Sequence, residues 1–246
     1  MEKENKNKAK KNVVILTAAG KGTRMKQDIP KQFMHIENKP LIVYTMEAFQ
    51  KHPSIDAIIV VCLDGWHDIL KAYAKQFNIT KLEHVVSGGA SGQESIKKGL
   101  LCAEKNYSLD STIIVHDGNR GLVSQEIISN ALSTYNEYGN AVVAIPCTEA
   151  VFVSENGTTS TEEIPRSKLY RTQTPHVWSL EKMLWAHEQA KKKKLTNTTA
   201  TCSLMKELGE TIHFSMGSEK NMKITTVEDI DLFKAILHST RESWLK

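Results

Sequence analysis

The sequence predicts an α/β fold built on an open, mostly parallel sheet covered on both faces, and three observations carry that prediction. Apolar, largely β-branched runs without polar alternation recur at 13–16, 57–63, 112–116 and 141–145, as strands buried on both faces require. Stretches with helical apolar spacing separate them, giving a β-α-β-α order. Small or turn-forming residues follow the strands directly: Ala18-Ala19-Gly20, Gly88-Gly89 and Asp117. Ligands of such sheets bind beyond the carboxyl ends of the strands, so these three points should converge on one crevice.

The elements follow in order. After the first strand, 40–50 opens with Pro40, which suits a first helical turn. The strand at 57–63 precedes an amphipathic helix at 66–77, and a short strand at 84–86 leads into Gly88-Gly89. A helix at 94–104, a strand at 112–116 ending at Asp117, a helix at 125–138 and a strand at 141–145 come next. Between 151 and 168 the pattern breaks. VFVSENGTTSTEEIPRSK offers a hairpin with Asn156-Gly157 as its turn and little that could join a core. It reads as a surface excursion or an arm reaching another subunit. The segment 169–178 follows, then a helix from Leu180 to about Lys193 and another near 202–208. A strand at 212–215, the segment 221–223 and a helix starting near Val227 finish the chain. Residues 12–240 thus read as one domain including the 151–168 arm, with 1–11 as a solvated basic tail rather than a signal peptide.

Composition narrows the class. At 246 residues, 40% hydrophobic and 24% charged, the chain can bury a substantial core. A net charge of +4 is too small to argue for nucleic acid. Cys62, Cys102, Cys147 and Cys202 are widely spaced, which argues against a zinc site or a disulfide framework and suits a reducing cytoplasm. No apolar stretch is long enough to span a bilayer, so no membrane partner is expected.

The most informative stretch is TAAGKGTRMKQDIPKQ at 17–32. Glycines let the backbone approach a ligand and expose N–H groups to an anion. Arg24, Lys26 and Lys31 can neutralise a polyphosphate. Gly20 and Gly22 are followed by Thr23-Arg24, which departs from the G-x-G-x-x-G of a dinucleotide fold, and no P-loop is present. The loop reads as a nucleoside triphosphate site. The Lys191–Lys194 run is a solvated helix end, and His176 reads as structural.

Several pieces together resemble the cytidylyltransferases that activate polyol phosphates: AAGKGTRM with PKQ, GGASGQESIKKGL, VHDGNR at 115–120, LYRTQTP at 169–175 and NMKITTVEDI. That family includes the methylerythritol-phosphate and ribitol-5-phosphate enzymes. The resemblance spans roughly 12–237 in the family's order. It implies a Rossmann-like nucleotidyltransferase fold with a protruding β-arm, homodimers, Mg²⁺, and transfer of CMP from CTP to a phosphorylated polyol with release of pyrophosphate. It further implies a cytoplasmic enzyme supplying a precursor of cell-surface polysaccharide.

The resemblance also implies roles. Arg24, Lys31 and Lys223 would be catalytic. Ala18, Ala19, Gly20, Gly22, Gly88, Ser95 and Asp117 would bind the nucleotide, with Asp117 also holding the metal. Arg120, Thr199 and Arg166 would contact the acceptor, Arg166 from the neighbouring subunit. Four departures bear on the substrate: Gly92 stands where the family typically has arginine, Gly118-Asn119 with Gly121 replaces a small-residue, arginine and proline run, Ala150 takes a threonine's place, and Thr199-Ala200 replaces Thr-Asp. They point away from methylerythritol phosphate toward a ribitol-5-phosphate-like acceptor. The isoprenoid enzyme and a non-catalytic nucleotide-binding subunit are the rival expectations.

Overall fold

A computed structural model describes residues 8–20 and 29–242. The first strand, β1 (Asn12–Ala18), runs into the glycine loop, of which 21–28 lie outside the described residues. A two-strand hairpin, β2 (His35–Ile36) and β3 (Lys39–Pro40), leads into α1 (Leu41–Lys51). Then β4 (Ala57–Cys62), α2 (His67–Gln76), β5 (Leu82–Ser87), α3 (Gly92–Asn106), β6 (Thr112–Asp117), α4 (Gln125–Tyr138) and β7 (Ala141–Pro146) alternate as the apolar pattern requires. The arm holds β8 (Val151–Val153) and β9 (Glu162–Ile164). The remaining elements are β10 (Tyr170–Ser179), α5 (Leu180–Lys192), α6 (Thr201–Glu207), β11 (Phe214–Met216) and α7 (Val227–Glu242).

The central sheet has the order β11-β7-β10-β6-β1-β4-β5. Every neighbouring pair is parallel except those made by β10, which runs antiparallel to both β6 and β7. The chain winds outward from β1 through β4 to β5, then returns to β6 on the other side of β1. That reversal is where an open α/β sheet leaves a crevice. Register levels the strand ends along one edge: Thr17 lies opposite Asp117, Ala18 opposite Cys62, and Cys62 opposite Ser87.

Alternation along the strands divides the core in two. Val14, Leu16, Ile58 and Val60 pack with Met46, Phe49 and Leu70 on the α1/α2/α4 face. Val13, Ile15, Ile59 and Val61 pack with Leu100, Met183, Ala186 and Met205 on the α3/α5/α6 face. Helix starts follow local rules: Ser91, Ser124 and Ser179 each accept a hydrogen bond from the backbone N–H three residues on, and Gly139 ends α4 at φ +76°. Gly99 lies where α3 crosses the sheet, and a Cβ there would come within 2.7 Å of Ile15 and 3.0 Å of Val61.

Three expectations change. The 169–178 segment, left unassigned above, is the antiparallel strand at the heart of the sheet; its polar Arg171, Thr172, Gln173 and Thr174 mask a strand signal. The arm does form a hairpin, but Asn156-Gly157 sits within an eight-residue connection (154–161) instead of making a two-residue turn. Asn156 Oδ1 accepts from the N–H groups of Thr158 and Thr159, which orders that loop. Residues 8–11, read as tail, are tied to the body: Lys8 Nζ donates to the Glu104 carbonyl (2.8 Å), Ser108 N to the Ala9 carbonyl, and Lys11 Nζ pairs with Glu83 (2.7 Å).

Candidate active site

The carboxyl edge of β1, β4, β5 and β6 opens into a cleft of about 1080 Å³. On one side the walls are backbone. Gly88 follows β5 so close to Ala19 that a Cβ on it would stand 2.2 Å from the Ala19 Cβ, and only glycine fits there. Gly88 N donates to Cys62 O (2.9 Å), and Gly89 N to the buried Ser95 Oγ (3.0 Å). The buried Gln32 amide donates to the carbonyls of Ala18 (2.7 Å) and Gly20 (3.2 Å). Gln32 therefore fastens the start of the glycine loop from a 3₁₀ turn, Lys31–Phe33. Phe33 anchors that turn by stacking on Trp66, centroids 4.5 Å apart, and Lys31 is thereby held at the cleft wall.

On the other side the walls are side chains. Asp117 ends β6, accepting from Arg120 Nε on Oδ2 (2.9 Å) and from Lys223 Nζ on Oδ1 (3.0 Å). Burial opposes ionisation of this carboxyl, but the Lys223 and Arg120 cations outweigh it and hold Asp117 well below the usual carboxylate range. Arg120 Nη1 donates to Asn221 O (2.6 Å), and the Asn119 amide donates to Ile224 O. These bonds bring the 221–224 segment, and Lys223 with it, over the end of β6. Beneath, Asp117 N donates to Thr174 Oγ1 (3.1 Å), which also meets His116 Nδ1 (3.0 Å). Desolvation lowers the His116 imidazole to about 3, so it stays neutral.

The far wall comes from the 195–203 segment. Gln93, in the first turn of α3, accepts from Thr198 N (3.0 Å) and Thr198 Oγ1 (3.2 Å) and donates to Leu195 O (3.0 Å). Thr199 lines the cleft with its hydroxyl 3.0 Å from Ser203 Oγ.

Of the residues singled out from sequence, Ala18, Ala19, Gly20, Lys31, Gly88, Ser95, Asp117, Arg120, Thr199 and Lys223 all line this one cleft. Gly22 and Arg24 lie outside the described residues. Arg166 is not among the lining residues of its own chain's cleft; it sits in the arm's 3₁₀ turn, donating to Thr148 O (3.2 Å). Gly92 lines the cleft with nothing within 4 Å of a Cβ built there. Sequence reasoning missed Gln93, Thr174 and Thr201, and it read His176 as structural although His176 lines the cleft. The run of hydroxyls at Thr198, Thr199, Thr201 and Ser203 was the available signal.

The donor set suits Mg²⁺. Among the described residues no cluster of three or more His, Cys, Asp or Glu could cage a metal. Asp117, whose two oxygens now pair with Arg120 and Lys223, is the ionised carboxylate in the cleft that could share a magnesium ion with substrate oxygens.

The comparisons agree with this geometry. The profile described as IspD, 2-C-methyl-D-erythritol 4-phosphate cytidylyltransferase, matches residues 12–239. A Lacticaseibacillus paracasei ribitol-5-phosphate cytidylyltransferase is 38% identical over 91% of this chain and 96% of its own. A Clostridium botulinum 2-C-methyl-D-erythritol 4-phosphate cytidylyltransferase is 34% identical over 92% of this chain and 97% of its own. In fold, the crystal structure of 4-diphosphocytidyl-2C-methyl-D-erythritol synthase from Anaerococcus prevotii superposes with a TM-score of 0.78 at 22% identity, covering 93% of this chain and 99% of that one. Profile, relatives and the Rossmann-like fold concur, and the chain belongs to the IspD family of cytidylyltransferases.

Proposed function

We propose that this protein transfers CMP from CTP to ribitol 5-phosphate or a closely similar phosphorylated polyol, releasing pyrophosphate. The observation that carries the reading is the joint placement of Lys31, Lys223, Arg120 and Asp117 around one cleft whose opposite wall is close-packed glycine backbone. Attack of a phosphate monoester oxygen on the α-phosphorus brings two anions together. Cations already in place lower that barrier without a covalent intermediate. Lys31, with Arg24, serves the triphosphate and the charge developing at the α-phosphorus. Lys223 and Arg120 receive the acceptor phosphate, and Asp117 keeps both cations oriented beforehand. Ala18, Ala19, Gly20, Gly22, Gly88 and Ser95 hold the nucleotide. Mg²⁺ held by Asp117 and phosphate oxygens would supply further charge neutralisation.

Residues 12–240 act as one catalytic domain, and the arm at 151–168 makes the homodimer. Phe152 and Val153 on β8 are 57% and 40% exposed, and Tyr170 and Phe214 stack beside each other at the exposed sheet edge. A second copy covering that apolar surface would carry Arg166 to the neighbouring cleft. No described helix is long and apolar enough to cross a membrane. On this reading the enzyme is cytoplasmic and supplies a cell-surface polysaccharide precursor.

Two observations favour ribitol 5-phosphate over methylerythritol phosphate: the higher identity to a ribitol-5-phosphate enzyme, and Ala150 and Ala200 at departing positions on the acceptor side. Pyrophosphate release from CTP, measured across ribitol, glycerol, erythritol and methylerythritol phosphates, should be fastest with ribitol 5-phosphate. Fastest release with methylerythritol phosphate would transfer the protein to the isoprenoid reaction. No release with any acceptor, despite CTP binding, would make it a nucleotide-binding subunit.

A further inference from the structure

Buried polar side-chain atoms in folded proteins are nearly always hydrogen-bonded, so each exception requires a reason. Six such atoms lack a partner among the described residues, and two of them belong to residues lining the cleft: His176 Nε2 and Thr201 Oγ1. Neither residue is mainly exposed; their exposures are 3% and 5%. His176 lies on β10 opposite Val115, two residues before Asp117. Thr201 opens α6 beside Thr199.

A neutral imidazole carries its hydrogen on one ring nitrogen and a lone pair on the other. Burial lowers the imidazole to about 4, which keeps it neutral near pH 7. Nε2 can therefore make one hydrogen bond, as donor or acceptor, and makes none within the described residues. Thr201 Oγ1 can donate and accept. Reorienting either group toward a ligand sacrifices no existing hydrogen bond at these atoms. The His176 ring also lies within electrostatic reach of Asp117, Arg120 and Lys223, of which the two cations are assigned above to the acceptor phosphate, whereas the glycine wall lies across β1 and β4.

We propose that His176 Nε2 and Thr201 Oγ1 are specificity determinants for the acceptor, each hydrogen-bonding a hydroxyl of the polyol chain. The assignment rests on the acceptor reading under Proposed function. A polyol hydroxyl can donate or accept, so one that reaches Nε2 pairs it, and an analogue lacking that hydroxyl leaves the nitrogen unpaired. Sites built this way discriminate strongly against the deoxy analogue.

The test is a substrate–side chain cycle. Steady-state constants are measured for wild type, His176→Phe, Thr201→Val and His176→Gln, with ribitol 5-phosphate and its monodeoxy analogues, alongside melting temperatures. Wild type should lose about tenfold in kcat/KM for the deoxy analogue that removes a contacted hydroxyl. His176→Phe and Thr201→Val should each erase that penalty for one hydroxyl position while leaving the KM for CTP unchanged. His176→Gln, which retains an acceptor oxygen, should restore part of it. Melting temperatures should hold or rise, because each substitution removes an unpaired buried polar atom. Variants that melt lower yet keep full discrimination make the pair structural and overturn the assignment. A shifted KM for CTP overturns it as well. Should His176→Phe fail to fold, Thr201→Val, nearly isosteric, still decides. A wild type that turns over no polyol phosphate sinks the proposed function and this pair with it; an active wild type with unaltered discrimination in the variants sinks the pair alone.

Discussion

The two walls of the cleft are built on different principles. On the β1–β4–β5 side, parallel strands end level, and close backbone packing does the shaping: Gly88 against Ala19, Gln32 holding the Ala18 and Gly20 carbonyls. On the β6–β10–α6 side, the surface is a network of charged and hydroxyl-bearing side chains converging from residues 116–120, 172–176, 198–203 and 221–224. A backbone wall tolerates little change in shape and is suited to a constant partner. A side-chain wall can be re-specified one residue at a time. The difference suggests that the nucleotide is fixed by the first wall and the acceptor is chosen by the second.

The largest expected effect tests the boundary between them. Lys31 is held at the cleft by the 3₁₀ turn that Phe33 anchors on Trp66. Lys31→Ala should retain the fold and lose about 100-fold in kcat, the scale of removing one transition-state donor. The KM for both substrates should change far less, since the interaction strengthens as charge develops. Near-normal turnover would remove Lys31 from the mechanism and leave the two walls without a shared catalytic cation on that side.

Gln93 offers the next break. Its amide belongs to α3, which starts just after the backbone wall, yet it clasps Leu195 and Thr198 of the other wall. Gln93→Ala frees those backbone groups and lets the segment bearing Thr199 and Thr201 loosen. The KM for the acceptor should rise about fivefold, the scale of losing one or two neutral hydrogen bonds, with kcat and the KM for CTP little changed. Gln93→Glu, which retains the acceptor oxygens toward Thr198, should recover part of the loss. Equal increases in both KM values would show that the walls act as one unit.

Much of the first wall was legible in the sequence and much of the second was not. The apolar runs 57–63 and 112–116 report strands because burial on both faces is a local signal. Gly88 stands out because few other residues permit such close approach. By contrast, β10 carries Arg171, Thr172, Gln173 and Thr174 and a proline, so neither apolar continuity nor alternation marks it. Its strand character comes from β6 and β7 on either side. The Gln93 clasp joins residues 105 apart in sequence, and no pattern around Gln93 announces it. The same holds for His176, whose placement beside Asp117 depends on the antiparallel register of β10.

A milder change sharpens the comparison from the nucleotide side. Gly92 departs from the family's usual arginine, and a Cβ there meets nothing within 4 Å. Gly92→Arg should therefore fold normally and lower the KM for CTP about threefold by adding one partly exposed cation near the phosphates. The acceptor KM should hold. A change confined to the acceptor would place the start of α3 in the second wall.

The smallest effect concerns pH, and it falls mostly on the second wall. His116, His176 and His187 sit on β6, β10 and α5, and burial is the leading cause that lowers them to about 3, 4 and 4. The unfolded chain protonates these rings near 6.5 while the folded protein does not, so between those values the unfolded state binds more protons. Their neutral burial costs nothing above about pH 6.5, and stability declines as pH falls from there toward 4. Asp117, with its depressed carboxyl, adds to the loss only below its ordinary value of 3.8. The melting temperature should thus be level near pH 7 and fall steadily between pH 6.5 and 5. In His176→Phe the fall should be shallower, since one imidazole no longer discriminates between the two states. An identical slope in wild type and variant would mean that His176 protonates freely in the folded protein instead of being held neutral by burial.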